Sequence, residues 1–199
     1  MKPKRIIAAL DIKDGKVSKG EKFDNVKAVG DPVELAKKYE KEGIDEIVLL
    51  DITASNEKRK IIKDLIEKVS KEISVPFTVG GGLTTVKDIV EIIGSGADKV
   101  FINTAAVENP NLIREAAQIV GSSKLVIAID AKKDSISNKY FVYTNGGKKK
   151  TDLEAKEWAK RCENFGAGEL LVTSIDTDGI RKGYDLELIK SIVDNVKIP

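Results

Sequence analysis

The chain has 199 residues, 41% hydrophobic and 33% charged, enough apolar material for one folded core and too much for a disordered segment. Lys and Arg number 34 against 32 acidic residues, and a net charge of +2 gives no electrostatic reason to expect nucleic acid or an anionic membrane as partner. There is no histidine, which excludes His-based triads, His metal sites and imidazole acid/base chemistry; the single cysteine, Cys162, excludes an internal disulfide.

No apolar run reaches the ~18–20 residues of a membrane span and no secretory core precedes a cleavage site, so a cytoplasmic protein is expected. Any acid/base work must come from carboxylates, Lys or Tyr. Apolar runs of strand length alternate with helical periods. Arg5–Leu10 reads as the first strand, closed by Asp11. The stretch Lys13–Gly30 is polar and Gly-punctuated, a long loop of the kind that forms lids or binds ligands, with Lys19 near its centre. Asp31–Glu42 reads as a helix with Asp31 as N-cap, Pro32 in the first turn and Gly43 at its end. Glu46–Ile52 is a strand, Glu57–Ile73 a helix, and Phe77–Val79 a strand running into Gly80-Gly81-Gly82. Thr85–Gly94 is a helix, Lys99–Ile102 a strand ending in Asn103-Thr104, and Pro110–Val120 a helix capped by Asn109. Lys124–Ile129 is a strand closed by Asp130. Tyr140–Tyr143 is one arm of a hairpin turning at Asn145-Gly146-Gly147. Asp152–Phe165 is a helix, Glu169–Thr173 a strand and Leu186–Val193 a helix.

Six βα units in alternation predict an α/β fold with a parallel sheet. The chain also repeats itself. The segment from Gly43 to Leu50 resembles that from Gly166 to Thr173, Val75-Pro76 matches Ile198-Pro199, and Asp11 and Asp130 each close the first strand of a half. A single (β/α)₈-type barrel domain of two half-barrels follows. The first half would span about 1–122 with four units and the partial second half about 123–199 with two, roughly three quarters of a barrel. A doubly wound open sheet is the alternative, disfavoured by the repeat and by the absence of G-x-G-x-x-G after the first strand.

Such barrels place their chemistry at the C-terminal ends of strands. The residues there are Asp11, Asp51, Gly80–Gly82, Asn103-Thr104, Asp130, Thr173-Ser174 and Asp176. Asp51 suits a helix cap or scaffold as well as a ligand contact. Asp11 and Asp130 are not placed to cap, and their equivalence in the repeat predicts a pair of acid/base carboxylates over one substrate. The glycine run, with donors from Asn103 and Thr104 on the next strand, suits phosphate; glycine runs also make ordinary turns. Asp178-Gly179 would be half of a matching site. Lys19 could reach a phosphate or stand in solvent. Arg5, Glu46, Lys99 and Glu169 stand at strand starts, either exposed or turned inward as a ring of charge.

These segments resemble the cyclase-subunit family of imidazole glycerol phosphate synthase, from histidine biosynthesis. The resemblance rests on RIIAALDIKDG (Arg5–Gly15), GDPVEL (Gly30–Leu35), IDEIVLLDITAS (Ile44–Ser55), PFTVGGG (Pro76–Gly82), GADKVFINTAAVENP (Gly96–Pro110), AIDAK (Ala128–Lys132) and GAGELLVTSIDTDG (Gly166–Gly179), and it covers the whole chain. It implies a two-half-barrel lyase/cyclase, without cofactor or metal. Such an enzyme uses ammonia to cleave a bisphosphorylated formimino-aminoimidazole carboxamide ribonucleotide to imidazole glycerol phosphate and aminoimidazole carboxamide ribotide. It further implies a glutaminase subunit that docks at the strand starts and supplies ammonia through the barrel. Asp11 and Asp130 match the catalytic pair, and Lys19 the mobile-loop lysine. Gly82, Asn103 and Thr104 match one phosphate site and Gly179 part of the other. Asp51, Thr173 and Asp176 fall among the substrate contacts, Arg5, Glu46, Lys99 and Glu169 match an ammonia gate, and Asp98 matches a position at the glutaminase interface. Ala9 stands where some relatives have Cys, and the chain stops before the strands that carry the rest of the second phosphate site. The sister isomerase of the pathway shares the fold and the aspartate pair, but it needs no ammonia route and lacks the Asp51–Ser55 pattern. A non-catalytic phosphate-binding or partner-docking fragment is the remaining alternative.

Overall fold

The βα alternation is realised in a computed structural model that describes residues 4–21, 24–51 and 58–199. The chain divides into two units, residues 1–19 with 26–101 and residues 20–25 with 102–199. In the first unit, β1 (Ile7–Lys13), β4 (Glu46–Asp51), β5 (Phe77–Gly80) and β6 (Lys99–Ile102) are parallel neighbours in that order. The helices between them are α1 (Pro32–Lys41), α2 (Lys58–Glu72) and α3 (Val86–Gly94). Their sequences explain their ends. Asp31 accepts hydrogen bonds from the Val33 and Glu34 amides and Pro32 opens α1, while Thr85 and Asp88 form a reciprocal capping box at α3. Ile47, Leu49, Ile66, Val69, Ile89 and Val100 are fully buried between this sheet and its helices.

The second unit is built on β7 (Leu125–Lys133), with β10 (Glu169–Ser174) parallel on one side and the antiparallel β8 (Tyr140–Thr144) and β9 (Lys149–Glu154) on the other. Its helices are α4 (Thr104–Glu108), α5 (Asn111–Val120), α6 (Ala155–Phe165) and α7 (Leu186–Val193). Ile127, Ile129, Trp158, Cys162 and Leu188 fill its core. Burial pushes the Cys162 thiol up to about 12, as befits a packing residue.

The internal repeat holds at the level of hydrogen bonds. Ile7 pairs with Glu46 and Asp11 with Leu50; in the same register, Val126 pairs with Glu169 and Asp130 with Thr173. The Ile47 amide donates to the Pro76 carbonyl at 3.1 Å, and its counterpart Leu170 donates to Pro199 at 2.9 Å. The Glu40 carboxylate collects the Ser74 and Val75 amides, just as Glu163 collects those of Lys197 and Ile198.

Four expectations from the sequence are corrected. The stretch Lys13–Gly30 is no loop: β1 runs on to Lys13, β2 (Lys16–Glu21) folds back on it in antiparallel register, and β3 (Asp24–Gly30) follows. Asp11 and Asp130 therefore do not close their strands, because β1 and β7 both continue past them into antiparallel pairs. Asp152 belongs to β9, and the helix begins at Ala155, since pairing with β8 claims the backbone up to Glu154. Asn109 does not cap α5. Pro110 holds the N-cap position of α5, and Asn109 instead closes the short α4, its amide donating to the Ala105 carbonyl. Among the described residues, no helix is long and apolar enough to cross a membrane.

Candidate active site

In the first unit, Asp11 is half-buried on β1, opposite Ser18 of β2 and Leu50 of β4. Asp51 ends β4 and its carbonyl fills the space over Gly81. A Cβ built there would lie 2.0 Å from that oxygen, and the Gly81 backbone has φ +111°. A Cβ on Gly80 would meet the Phe101 ring at 2.5 Å. Packing thus demands Gly80 and Gly81, and Gly82 turns the chain at φ +61°. A pocket beside this turn is lined by Asp51, Gly80, Gly81, Gly82 and Lys63, and Lys63 is bound to Glu91 at 2.7 Å. The Lys19 side chain and residues 52–55 lie outside the described residues.

At the strand starts of the same unit, three of the four predicted ring residues meet. Glu46 is 2% exposed. It accepts from Arg5, from Lys99 Nζ at 2.8 Å to both oxygens, and from Thr78 Oγ1 at 2.7 Å. The cations and the hydroxyl around it offset the cost of burying this carboxylate. Thr78 went unnoticed in the sequence, although a hydroxyl inside the apolar run Phe77–Val79 was its signal. Glu169 opens β10 in the second unit and is half-buried. Asp98 is exposed and accepts from the Phe77 amide at 2.9 Å, just as Asp45 accepts from Ile6 at 2.7 Å; both staple a strand start.

In the second unit, Asp130 is 8% exposed. Burial holds its carboxyl above the usual carboxylate range, opposed by hydrogen bonds from Asn103 and Thr173 and reinforced by the like charge of Asp178. Asn103 Nδ2 donates to Asp130 Oδ2 at 2.8 Å. The Thr104 hydroxyl accepts from the Asn145 amide at 3.0 Å and keeps its own proton to donate. Asp176 accepts from the Lys133 amide at 2.9 Å, and Gly179 turns the chain at φ +71°. That turn is tied down by Asp185, which caps α7 and accepts from Ser174 at 2.8 Å and Tyr140 at 2.9 Å. The structure thus unites Asp130 with Asn103 and Thr173. It also adds Asp178, which the sequence offered only as the neighbour of a phosphate-binding glycine. Among the described residues, no group of three or more His, Cys, Asp or Glu is placed to hold a metal ion.

The arrangement is a buried, protonation-prone carboxyl flanked by neutral donors, with Asp11 at the equivalent register of the repeat. Known proteins share the sequence that builds it. A family model described as "Histidine biosynthesis protein" matches residues 5–199. A protein of Petrotoga mobilis named imidazole glycerol phosphate synthase subunit HisF is 68% identical over all of this chain and 79% of its own length. Proteins of the same name from Pyrococcus furiosus and Lactococcus lactis are 62% and 52% identical over all of this chain, and over 78% and 77% of their own lengths. The chain therefore belongs to the histidine biosynthesis protein family of (β/α)₈ barrels, and within it to the cyclase subunits of imidazole glycerol phosphate synthase, enzymes of the lyase/cyclase type.

Proposed function

We propose that Asp11 and Asp130 carry the cyclase chemistry, with Asp130 as the general acid and Asp11 as the general base. The ring-forming reaction joins the nitrogen of ammonia to two carbons of the substrate, expelling the ketone oxygen as water and an aminoimidazole nitrogen; ammonia sheds protons and both leaving groups gain them. A carboxyl whose proton affinity burial raises is suited to the second task, and a more accessible carboxylate to the first. The observation that carries this reading is Asp130, buried and bordered by two neutral donors and a like charge. Asp11 holds the same register against β4 that Asp130 holds against β10, which suits a pair acting at the two ends of one reacting unit.

The substrate is then a bisphosphorylated formimino-aminoimidazole carboxamide ribonucleotide. Gly82 and Thr104 serve one phosphate and Gly179 the other, with Lys19, Asp51, Thr173 and Asp176 as further contacts. Arg5, Glu46, Lys99 and Glu169 gate ammonia delivered by a glutaminase subunit that docks near Asp98. The closure of Glu46 by two cations supports a gate, since neutral ammonia passes only when these side chains part. The test is product stoichiometry. With the bisphosphate and an ammonium salt, the protein forms imidazole glycerol phosphate and aminoimidazole carboxamide ribotide in equal amounts. An isomerised bisphosphate with neither product would assign it instead to the sister isomerase reaction.

A further inference from the structure

We infer that the Asn103 side chain positions Asp130 rather than binding phosphate: its amide nitrogen holds one carboxylate oxygen in place while its buried carbonyl stays open to an N–H or O–H of the substrate. The inference rests on the acid role given to Asp130 above. Asn103 stands between the end of β6 and the start of α4, where a polar side chain would ordinarily cap the helix, yet it makes no cap bond. Its Nδ2 reaches instead to Asp130 Oδ2 at 2.8 Å, across to β7. Its Oδ1 is buried and accepts no hydrogen bond from the protein. A buried acceptor without a donor is destabilising, a loss retained where a ligand can relieve it. A phosphate offers only acceptors to such an oxygen, so phosphate binding falls to Thr104, whose hydroxyl proton is still free to donate.

Besides Asn103, three groups among the described residues face Asp130. Thr173 of β10 shares the carboxylate with Asn103, Asp178 of the following turn contributes a like charge, and Tyr143 of β8 lies opposite in the ladder. Removing Asn103 leaves Thr173 as the donor holding the carboxyl, free to rotate about its side-chain torsions. Because that hydrogen bond favours the charged form, its loss also raises the Asp130 pKa.

The experiment compares Asn103→Ala and the near-isosteric, uncharged Asn103→Leu with the wild type in three readouts: steady-state turnover, binding of inorganic phosphate, and NMR titration of the Asp130 carboxyl carbon. Both variants are expected to lose at least about tenfold in kcat, with phosphate affinity unchanged. The Asp130 titration and the alkaline limb of the kcat profile both move to higher pH. The reverse pattern, weakened phosphate binding with the titration and kcat unmoved, would overturn the inference and make the Asn103 side chain a phosphate ligand. Should Asn103→Ala fail to fold, Asn103→Leu carries the same readouts. The NMR titration needs no turnover. A wild type without cyclase activity therefore counts against the acid role itself, and an unmoved titration against the positioning role alone.

Discussion

Replacing Asp130 by Asn separates the chemistry of this carboxyl from its effect on the fold. Asp130 is 8% exposed, held by two neutral donors and repelled by Asp178, so its charged form is disfavoured in the folded state. An unfolded aspartate titrates near ~3.9. The sign follows from the raised folded pKa. The contribution of Asp130 to stability is fully present below the unfolded pKa and is lost as pH rises through the folded one. Asparagine cannot ionise and keeps one acceptor for Asn103 or Thr173, forfeiting at most one hydrogen bond, about 1 kcal/mol. At acid pH, Asp130→Asn is thus expected to be slightly less stable than wild type. From about pH 4 upward the gap closes and then inverts. Turnover falls by about 10²–10⁴-fold at every pH. Denaturant unfolding of both proteins across pH 3–9 measures the first effect, and ammonia-dependent turnover the second. A variant that loses stability relative to wild type as pH rises would refute the reasoning, because it would mean that the folded state stabilises the charge.

Gly81→Ala forces a Cβ toward the Asp51 carbonyl at a positive φ and should cost more than about 2 kcal/mol, whereas Gly94→Ala, with open space around its Cβ, should cost nothing and gain up to about 1 kcal/mol; thermal unfolding of the pair checks both. Cys162, its thiol pushed up to about 12, should react with a thiol reagent at pH 8 at least about a hundredfold more slowly in the folded than in the unfolded protein. Lys99→Ala strips Glu46 of its doubly bonded cation. It should alter glutamine-driven turnover with the glutaminase present more than turnover with free ammonium, and equal effects would remove the gate role. Asp31→Ala deletes the two cap bonds of α1 at about 1 kcal/mol, with turnover per folded molecule unchanged.

What could be read from the sequence was what local chemistry decides. Asp31 with Pro32, Thr85 with Asp88, and the apolar run from Glu46 to Asp51 each specify their element within a few residues. The repeat was legible because its two copies keep the same pairing register, which placed Asp11 and Asp130 at equivalent points. The β2 arm escaped notice because the sequence KVSKGE is dominated by lysines and glycine, and its strand character comes from pairing with β1 rather than from propensity. The start of α6 was misplaced for the same reason, as β8 draws Lys149–Glu154 into the sheet. At the site, residue type announced Asp130 and Asn103, but not that one holds the other: the bond joins groups far apart in the chain. Thr78 and Asp185 likewise gain their roles from partners on other elements, Glu46 for the first and Ser174 and Tyr140 for the second.

The measurement closest to the central claim is single-turnover conversion of the bisphosphate by wild type, Asp11→Asn and Asp130→Asn with saturating ammonium, alongside substrate binding to each. The account predicts that both variants bind substrate within about threefold of wild type and convert it at least about a hundredfold more slowly. Conversion by both variants at the wild-type rate would contradict it.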